Sequence, residues 1–229
     1  YFYLSVLLDI FSRFVVGWMV ASKEAATLAQ RLIADSCRRQ EIAPGQLVVH
    51  ADRGSSMTSQ PVALLLAELG VTRSHSRPHI ANDNPFSEAH FKTLKYCPRF
   101  PDRFGSIEHA RSFCRDFFPF YNTEHRHSAL GLMTPQAVHY GHAPQLRDAR
   151  REVLLAAYAA HPERFARVPE PPALPTAAWI NPPPKETALQ DAPGSPQTIE
   201  AYPEVPPAFA PERARHAALD AAMPAPEAQ

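Results

Sequence analysis

Two acidic residues stand in sharply defined local contexts, Asp52 in the string VVHADRGS and Glu88 in the string NDNPFSE. Asp52 follows an apolar strand pattern and precedes a glycine turn, at the strand end where open α/β sheets bind ligands. On its own, an aspartate there most often caps a turn. Glu88 falls in the first turn of a predicted helix, where an acid suits the helix dipole and can pair with Lys92. Neither acid alone indicates catalysis, but the pair, with 35 residues between them, points to a shared site.

The elements that would position these acids follow from the apolar pattern. Aromatic and β-branched residues predict an antiparallel hairpin of strands over 1–9 and 13–21. Asn84 and Pro85 start the helix that carries Glu88, because Asn caps free amides and Pro tolerates the first helical position. The remaining pattern predicts helices over 23–40, 60–69, 106–121 and 145–160, a short helix from Thr134, and strands over 47–50 and 71–74.

Composition divides the chain into a foldable part and a proline-rich part. Of the 25 prolines, 16 fall in the last 69 residues, where strings such as NPPPKE cannot hold a helix or a strand. We therefore expect a core over residues 1–140, a helical extension over 141–165 and a Pro/Ala-rich disordered tail over 166–229. The first 150 residues carry 17 basic and 13 acidic side chains, so the foldable part is mildly basic.

Cysteine spacing and apolar runs exclude several classes of protein. The three cysteines are far apart and form no CxxC pair, which excludes a disulfide framework and a thiolate zinc site. No apolar run approaches the roughly 18 residues that a membrane span needs. We expect a protein of the reducing cytoplasm that has no membrane partner.

Four ordered motifs carry a resemblance to a known family. HADRGS, together with DNPFSE and the following FKTLK, closely resembles the last two motifs of the integrase-core transposases. These are DDE recombinases of bacterial insertion sequences that are similar to retroviral integrases. YLSVLLDIFSRFVVGW resembles their second and third strands, and YNTEHRHSALGLMTPQA resembles the end of their core. The resemblance covers roughly residues 1–140 and implies an α/β, ribonuclease-H-like mixed sheet flanked by helices, with its first strand expected before Tyr1.

The same resemblance implies a chemistry for the two acids. Asp52 and Glu88 match the second and third members of a triad that holds two Mg²⁺ (or Mn²⁺) ions and cleaves and transfers DNA strands during transposition. Hard divalent cations prefer carboxylate oxygens, and two of them can polarise the attacking oxygen and stabilise the leaving one. The first acid is expected before Tyr1. Asp9, in LDIFSR, is interpreted as a hairpin-capping or supporting residue, so the chain alone is expected to be inactive.

Basic residues near the acids are candidates for DNA contacts. Lys92 and Lys95 lie four and seven residues after Glu88, so all three share one helical face where a DNA phosphate would lie. Arg53 and Arg77 flank the same edge. The expected partners are DNA, as transposon ends and target, and further copies of the chain in the active complex at the bacterial nucleoid.

Two histidine pairs and two further residues complete the candidates. His50, two residues before Asp52 on the same side of its strand, and Asn84 are predicted supporting residues. The pairs His75 with His79 and His125 with His127 lack the companion ligands of a zinc site and are interpreted as loop residues. Two alternative functions stay open: a ribonuclease-H-like nuclease that only hydrolyses, and an inactive DNA-binding remnant of a mobile element.

Overall fold

A computed structural model describes residues 1–52, 57–75 and 84–180 of the 229-residue chain. The described strands are β1 (Tyr3–Leu8), β2 (Val15–Ala21), β3 (Val48–Ala51) and β4 (Thr72–His75). The described helices are α1 (Ala26–Arg39), α2 (Gln60–Glu68), α3 (Pro85–Lys95), α4 (Ile107–Thr123), α5 (Pro135–His139) and α6 (Ala143–Ala160). Short 3₁₀ turns cover Ser128–Leu130 and Pro162–Arg164. Every strand and helix predicted from the sequence is present, and the α/β class is confirmed.

The first two strands form the predicted hairpin. β1 and β2 pair antiparallel from Tyr3 opposite Ala21 to an irregularity between Leu7 and Leu8. The turn is closed by backbone bonds around Asp9, and it needs the left-handed φ of 63° at Arg13. This turn begins at Asp9, slightly before the link expected at 10–12.

The other two strands form a separate parallel pair, with β3 beside β4. Within the described ranges, the hairpin and this pair are separate two-stranded sheets, and β1 does not pair with β3. The first strand of the expected mixed sheet is the one that the sequence analysis places before Tyr1. The single mixed sheet is therefore represented by its two halves.

Helix α1 holds the two halves together. It packs against β1, β2 and α2. One buried cluster contains Ile33 and Cys37 of α1, and both Leu7 of β1 and Val49 of β3 pack against it. The approach of α1 to β2 is close, because a Cβ added at Gly17 would lie 2.2 Å from the Ser36 hydroxyl oxygen. Gly17 is thus required by packing.

Helix α4 covers the hairpin and also forms hydrogen bonds with backbone groups on the outer edge of β2. Phe117, Phe118 and Tyr121 of α4 are almost fully buried in a cluster with β2 residues. The Asn122 side chain accepts from the Val15 amide over 2.9 Å and donates to the Val15 carbonyl over 3.1 Å, as a neighbouring strand would. Polar backbone groups on the outer edge of β2 therefore find partners on α4.

Part of the predicted disordered tail packs against the fold. The Arg147 guanidinium of α6 donates to the carbonyls of Pro172 and Pro171 over 3.1 and 3.4 Å. Leu174 packs against the cluster that contains Leu130 and Met133. The segment up to Leu174 thus packs against the fold, whereas the sequence analysis expects disorder from residue 166 onward. An extended proline-rich segment has carbonyls without intrasegment partners, and arginine donors on a neighbouring helix can bind them. Residues 181–229 lie outside the described part of the chain.

Membrane insertion finds no support in these elements. Across the three described ranges, no helix combines the length and the apolar character of a bilayer span.

Candidate active site

Asp52 lies directly after β3, at the carboxyl end of the strand, and its side chain is exposed. The strand is anchored on the core by Val49 and pairs with β4 through Ala51, opposite His75. The residue that follows a parallel strand lies at the carboxyl edge of the sheet, as the sequence predicted for Asp52. Arg53, in the segment 53–56, lies outside the described residues.

Asn84 joins this strand end to the helix that carries Glu88. Its side-chain amide Nδ2 donates to Oδ2 of Asp52 over 3.0 Å. Its backbone carbonyl accepts the Glu88 amide over 3.2 Å, in the first turn of α3. A single residue therefore contacts one predicted acid through its side chain and the other through its backbone.

The way in which Asn84 starts α3 differs from the prediction. Helix α3 begins at Pro85, as expected, but the Asn84 side chain makes no capping bond to the helix amides. The side chain is turned to Asp52 instead. The sequence pattern identified the helix start correctly, but the capping bond expected from the Asn84 side chain is absent, because a capping propensity does not show which acceptor or donor lies nearby in space.

Glu88 and the two predicted DNA-contacting lysines lie on the exposed face of α3. His90 and Leu94 are the buried residues of this helix, whereas Glu88, Lys92 and Lys95 are exposed. The predicted spacing of the three charged residues on one face is thus compatible with the orientation of the helix. Arg77, in the segment 76–83, lies outside the described residues.

Two side-chain contacts hold α3 in its orientation on the rest of the fold. The Arg13 guanidinium lies 4.0 Å from the centroid of the Phe86 ring, two residues before Glu88. The His90 ring packs edge-on against Tyr121 with centroids 4.7 Å apart, and His90 is 3% exposed. Burial lowers the pKa of His90 to about 4, so its imidazole is neutral at pH 7.

His90 was missed in the sequence analysis. It lies four residues before Leu94, so helical spacing with that apolar residue was the available signal. The helix is oriented so that His90 and Leu94 are buried, whereas Phe91 is only partly buried. Within residues 1–52, 57–75 and 84–180, neither ring nitrogen of this buried histidine has a hydrogen-bond partner.

His50 contacts the neighbouring strand. Its Nδ1 lies 3.0 Å from the Ser74 hydroxyl oxygen of β4. At the next position of the parallel pair, Nδ1 of His75 lies 3.2 Å from the Ala51 carbonyl oxygen, so it donates to that oxygen. Both histidines tie β3 to β4 just before Asp52, which is compatible with a supporting role for His50.

Asp9 belongs to a different part of the molecule. Its carboxylate accepts from the Phe11 amide and the Ser12 hydroxyl within the hairpin turn, and from Nδ1 of His139 over 2.9 Å. Nε2 of His139 in turn lies 3.0 Å from Oε1 of Gln40. Burial raises the pKa of the Asp9 carboxyl, but the hydrogen bonds from His139 and Ser12 outweigh it and hold the pKa below its usual value. The turn contacts match the hairpin-capping interpretation.

The described residues contain no group of three His, Cys, Asp or Glu side chains that could hold a metal ion. His125 and His127 pack against Tyr121 at centroid distances of 5.6 and 5.2 Å. Burial, followed by the charges of neighbouring residues, lowers the pKa of His127 to about 4. His79 lies outside the described residues, so the pair that it was considered to form with His75 is not placed.

Two family models match the chain. A model described as "Integrase core domain" matches residues 1–80, and a second model of the same description matches residues 69–135. The transposase for insertion sequence element IS904 of Lactococcus lactis is 33% identical over 135 residues, which are 58% of this chain and 53% of the relative. The transposase InsF for insertion sequence IS3A of Escherichia coli is 30% identical over 135 residues, 58% of this chain and 46% of the relative. The chain thus spans about half the length of the curated relatives it matches.

Solved structures with partial similarity come from viruses. The catalytic core domain of BIV integrase gives a TM-score of 0.43 at 21% identity, covering 59% of this chain and 83% of that one. The simian T-cell lymphotropic virus intasome in complex with a PP2A regulatory subunit gives a TM-score of 0.43 at 14% identity, covering 58% and 46%. The family assignment comes from the two family models and the curated relatives. Through residues 1–135, this chain belongs to the integrase core domain family.

Proposed function

We propose that this chain is part of the catalytic core of a metal-dependent DNA transposase, which cleaves DNA and joins the freed strand to a target. The observation that carries the proposal is the 3.0 Å hydrogen bond between Asn84 and Asp52, because it brings together the two acid-bearing motifs of the sequence. Membership in the integrase core domain family and the similarity to insertion-sequence transposases support the same function.

The metal in this proposal is Mg²⁺ or Mn²⁺, bound by the carboxylates of Asp52 and Glu88. The donor set fits such an ion, since Mg²⁺ is commonly held by one or two carboxylates with waters and substrate phosphates completing the shell. When bound, the ions would activate the attacking oxygen and stabilise the leaving oxygen of an in-line displacement. The protein would supply the two carboxylates, their orientation through Asn84, and a rigid strand and helix on which they stand.

DNA binding in this proposal uses the charged face of α3. Lys92 and Lys95 are exposed on the helix that carries Glu88, so their ammonium groups can reach phosphates of a strand held at the acids. Arg53 and Arg77 would extend this contact along the same edge. Transposon ends and target DNA, further copies of the chain and a cytoplasmic location at the nucleoid are the partners and setting that this function requires.

A strand-transfer assay tests the function. Because the described residues hold only two of the three expected acids, the assay uses the chain joined to the part of the Lactococcus lactis relative that precedes the matching region. A labelled oligonucleotide with a free 3′ hydroxyl and a supercoiled plasmid are incubated with Mg²⁺ or Mn²⁺. Joining that is lost in Asp52→Asn and in Glu88→Gln is the expected result. Joining that persists in both variants would reject the two acids.

The same assay separates the two alternatives. A nuclease that only hydrolyses would nick the plasmid without joining the oligonucleotide. The second alternative is an inactive DNA-binding remnant. Such a remnant would retard DNA in a gel and give neither nicked nor joined product.

A further inference from the structure

We infer that Asn84 is a positioning residue for Asp52: its side-chain amide orients the carboxylate for a divalent cation instead of capping α3. The inference rests on the proposed function, in which Asp52 binds that cation. Its direct observation is the 3.0 Å bond from Nδ2 of Asn84 to Oδ2 of Asp52.

Two of the other N-cap residues show what Asn84 gives up, whereas Ser59, before α2, likewise makes no side-chain capping bond. Ser106, before α4, accepts from the His109 amide over 3.1 Å, and Thr134, before α5, accepts from the Ala137 amide over 3.3 Å. Asn is among the best residues for this task. Asn84 nevertheless makes no capping bond, and its ψ is 42°, against 170° at Ser106 and 152° at Thr134. A strong capping residue that leaves its helix uncapped to bind a carboxylate indicates a role at that carboxylate.

The chemistry of the amide suits a cation site. A carboxylate accepts at about four lone-pair positions, and the Asn84 amide uses one of them. The amide is neutral, so it orients the carboxylate without adding positive charge beside a metal ion. A lysine or arginine in the same place would add such a charge. Hydrogen bonds of this kind orient metal-binding side chains in many proteins.

Asn84 also relates Asp52 to Glu88. The Asn84 carbonyl accepts the Glu88 amide over 3.2 Å, so the side chain and the backbone of one residue contact the two acids. Movement of Asn84 would therefore change the separation of both ligands. We expect its loss to weaken cation binding and to leave the helix itself in place.

Two substitutions separate positioning from capping. Asn84→Ser retains a side chain that can cap α3 but is too short to keep the bond to Asp52. Ser106→Ala is the matched control, since it removes a cap that α4 does use. Both variants of the 229-residue chain are titrated with Mn²⁺, followed by paramagnetic broadening of the Asp52 and Glu88 amide signals in NMR spectra. Melting is recorded alongside.

The two variants are expected to change different properties of the protein. Asn84→Ser should weaken Mn²⁺ binding about 10- to 100-fold with unchanged melting. Ser106→Ala should lower the melting temperature with unchanged Mn²⁺ binding. If Asn84→Ser binds Mn²⁺ as the wild type does while Asp52→Asn loses it, Asn84 is only a helix-start residue. That result overturns the inference about Asn84 and leaves the proposed function intact. If the wild-type signals of Asp52 and Glu88 do not broaden, the metal site of the proposed function fails, and the inference fails with it.

Discussion

Asp9 and Asp52 both follow a strand directly, yet they lie in opposite environments. Asp9 is largely buried and is held by Ser12, Phe11 and His139. Asp52 stands at an exposed edge, where a neutral amide binds it. A carboxylate surrounded by strong donors stabilises the protein, whereas one at an open edge can bind a ligand. Local sequence position does not separate the two cases; the donors brought in from distant parts of the chain do.

The largest expected effect is on function at the exposed edge. In the joined protein of the strand-transfer assay, Asp52→Asn should reduce cation-dependent strand transfer more than 100-fold, since even residues that only orient a ligand cost about 10- to 100-fold. The free energy of unfolding should change by less than about 0.5 kcal/mol, because the side chain is exposed. Transfer rates and urea melts measure both. A destabilisation similar to that of an Asp9 variant would remove the contrast between the two sites.

Acid should weaken the buried part of the fold through His90. Its pKa is about 4 in the folded protein against 6.5 ordinarily, so the unfolded chain binds more protons between these values. Stability is fully present above pH 6.5 and is lost as the pH falls towards 4, by about 3 kcal/mol at about 1.4 kcal/mol for each pH unit. In His90→Phe, urea melts at pH 7.5 and 4.5 should differ less than in the wild type. An equal difference in both proteins would assign the acid sensitivity elsewhere.

Asp9→Asn should destabilise the fold by about 2 kcal/mol at pH 7, because His139 and Ser12 lose a charged acceptor. The pKa of Asp9 is lowered by folding, so its contribution is present above the ordinary value of 3.8 and is lost as the pH falls through the lower folded value. Below that folded value, wild type and Asp9→Asn should have similar stability. Strand transfer per folded molecule should stay unchanged. Complete loss of strand transfer would indicate that Asp9 binds the catalytic cation.

The smallest expected effect concerns the proline-rich segment after α6. A chain that ends at residue 165 should be about 1 to 2 kcal/mol less stable than one that ends at residue 180. The shorter chain lacks Leu174 and the carbonyls that Arg147 binds. Thermal melts of the two truncated chains provide the measurement. Arg147→Ala in the longer chain should lose part of the same stabilisation. Equal melting temperatures would mean that this segment adds nothing to stability.

Sequence patterns identified the elements well because each element has a local signal. The hairpin, the strand ending before Asp52 and the helix starting at Pro85 all follow from spacing, turn residues and caps. Contacts over long sequence separations had no such signal. His139 reaches Asp9 across 130 residues, and Asn84 reaches Asp52 across 32. The docking of the proline-rich segment had no local signal either, since its partners are Arg147 on α6 and the cluster that contains Leu130 and Met133.

The Asn122 side chain has a consequence for how this protein behaves at high concentration. The outer edge of β2 offers the backbone groups that a strand from another molecule could pair with, and such edges promote aggregation. Asn122 occupies both polar groups of Val15, and Arg111 donates to the Val20 carbonyl further along, at 3.1 Å from Nη2. Helix α4 therefore blocks intermolecular strand addition at this edge, and Asn122→Ala should aggregate more readily in light-scattering measurements.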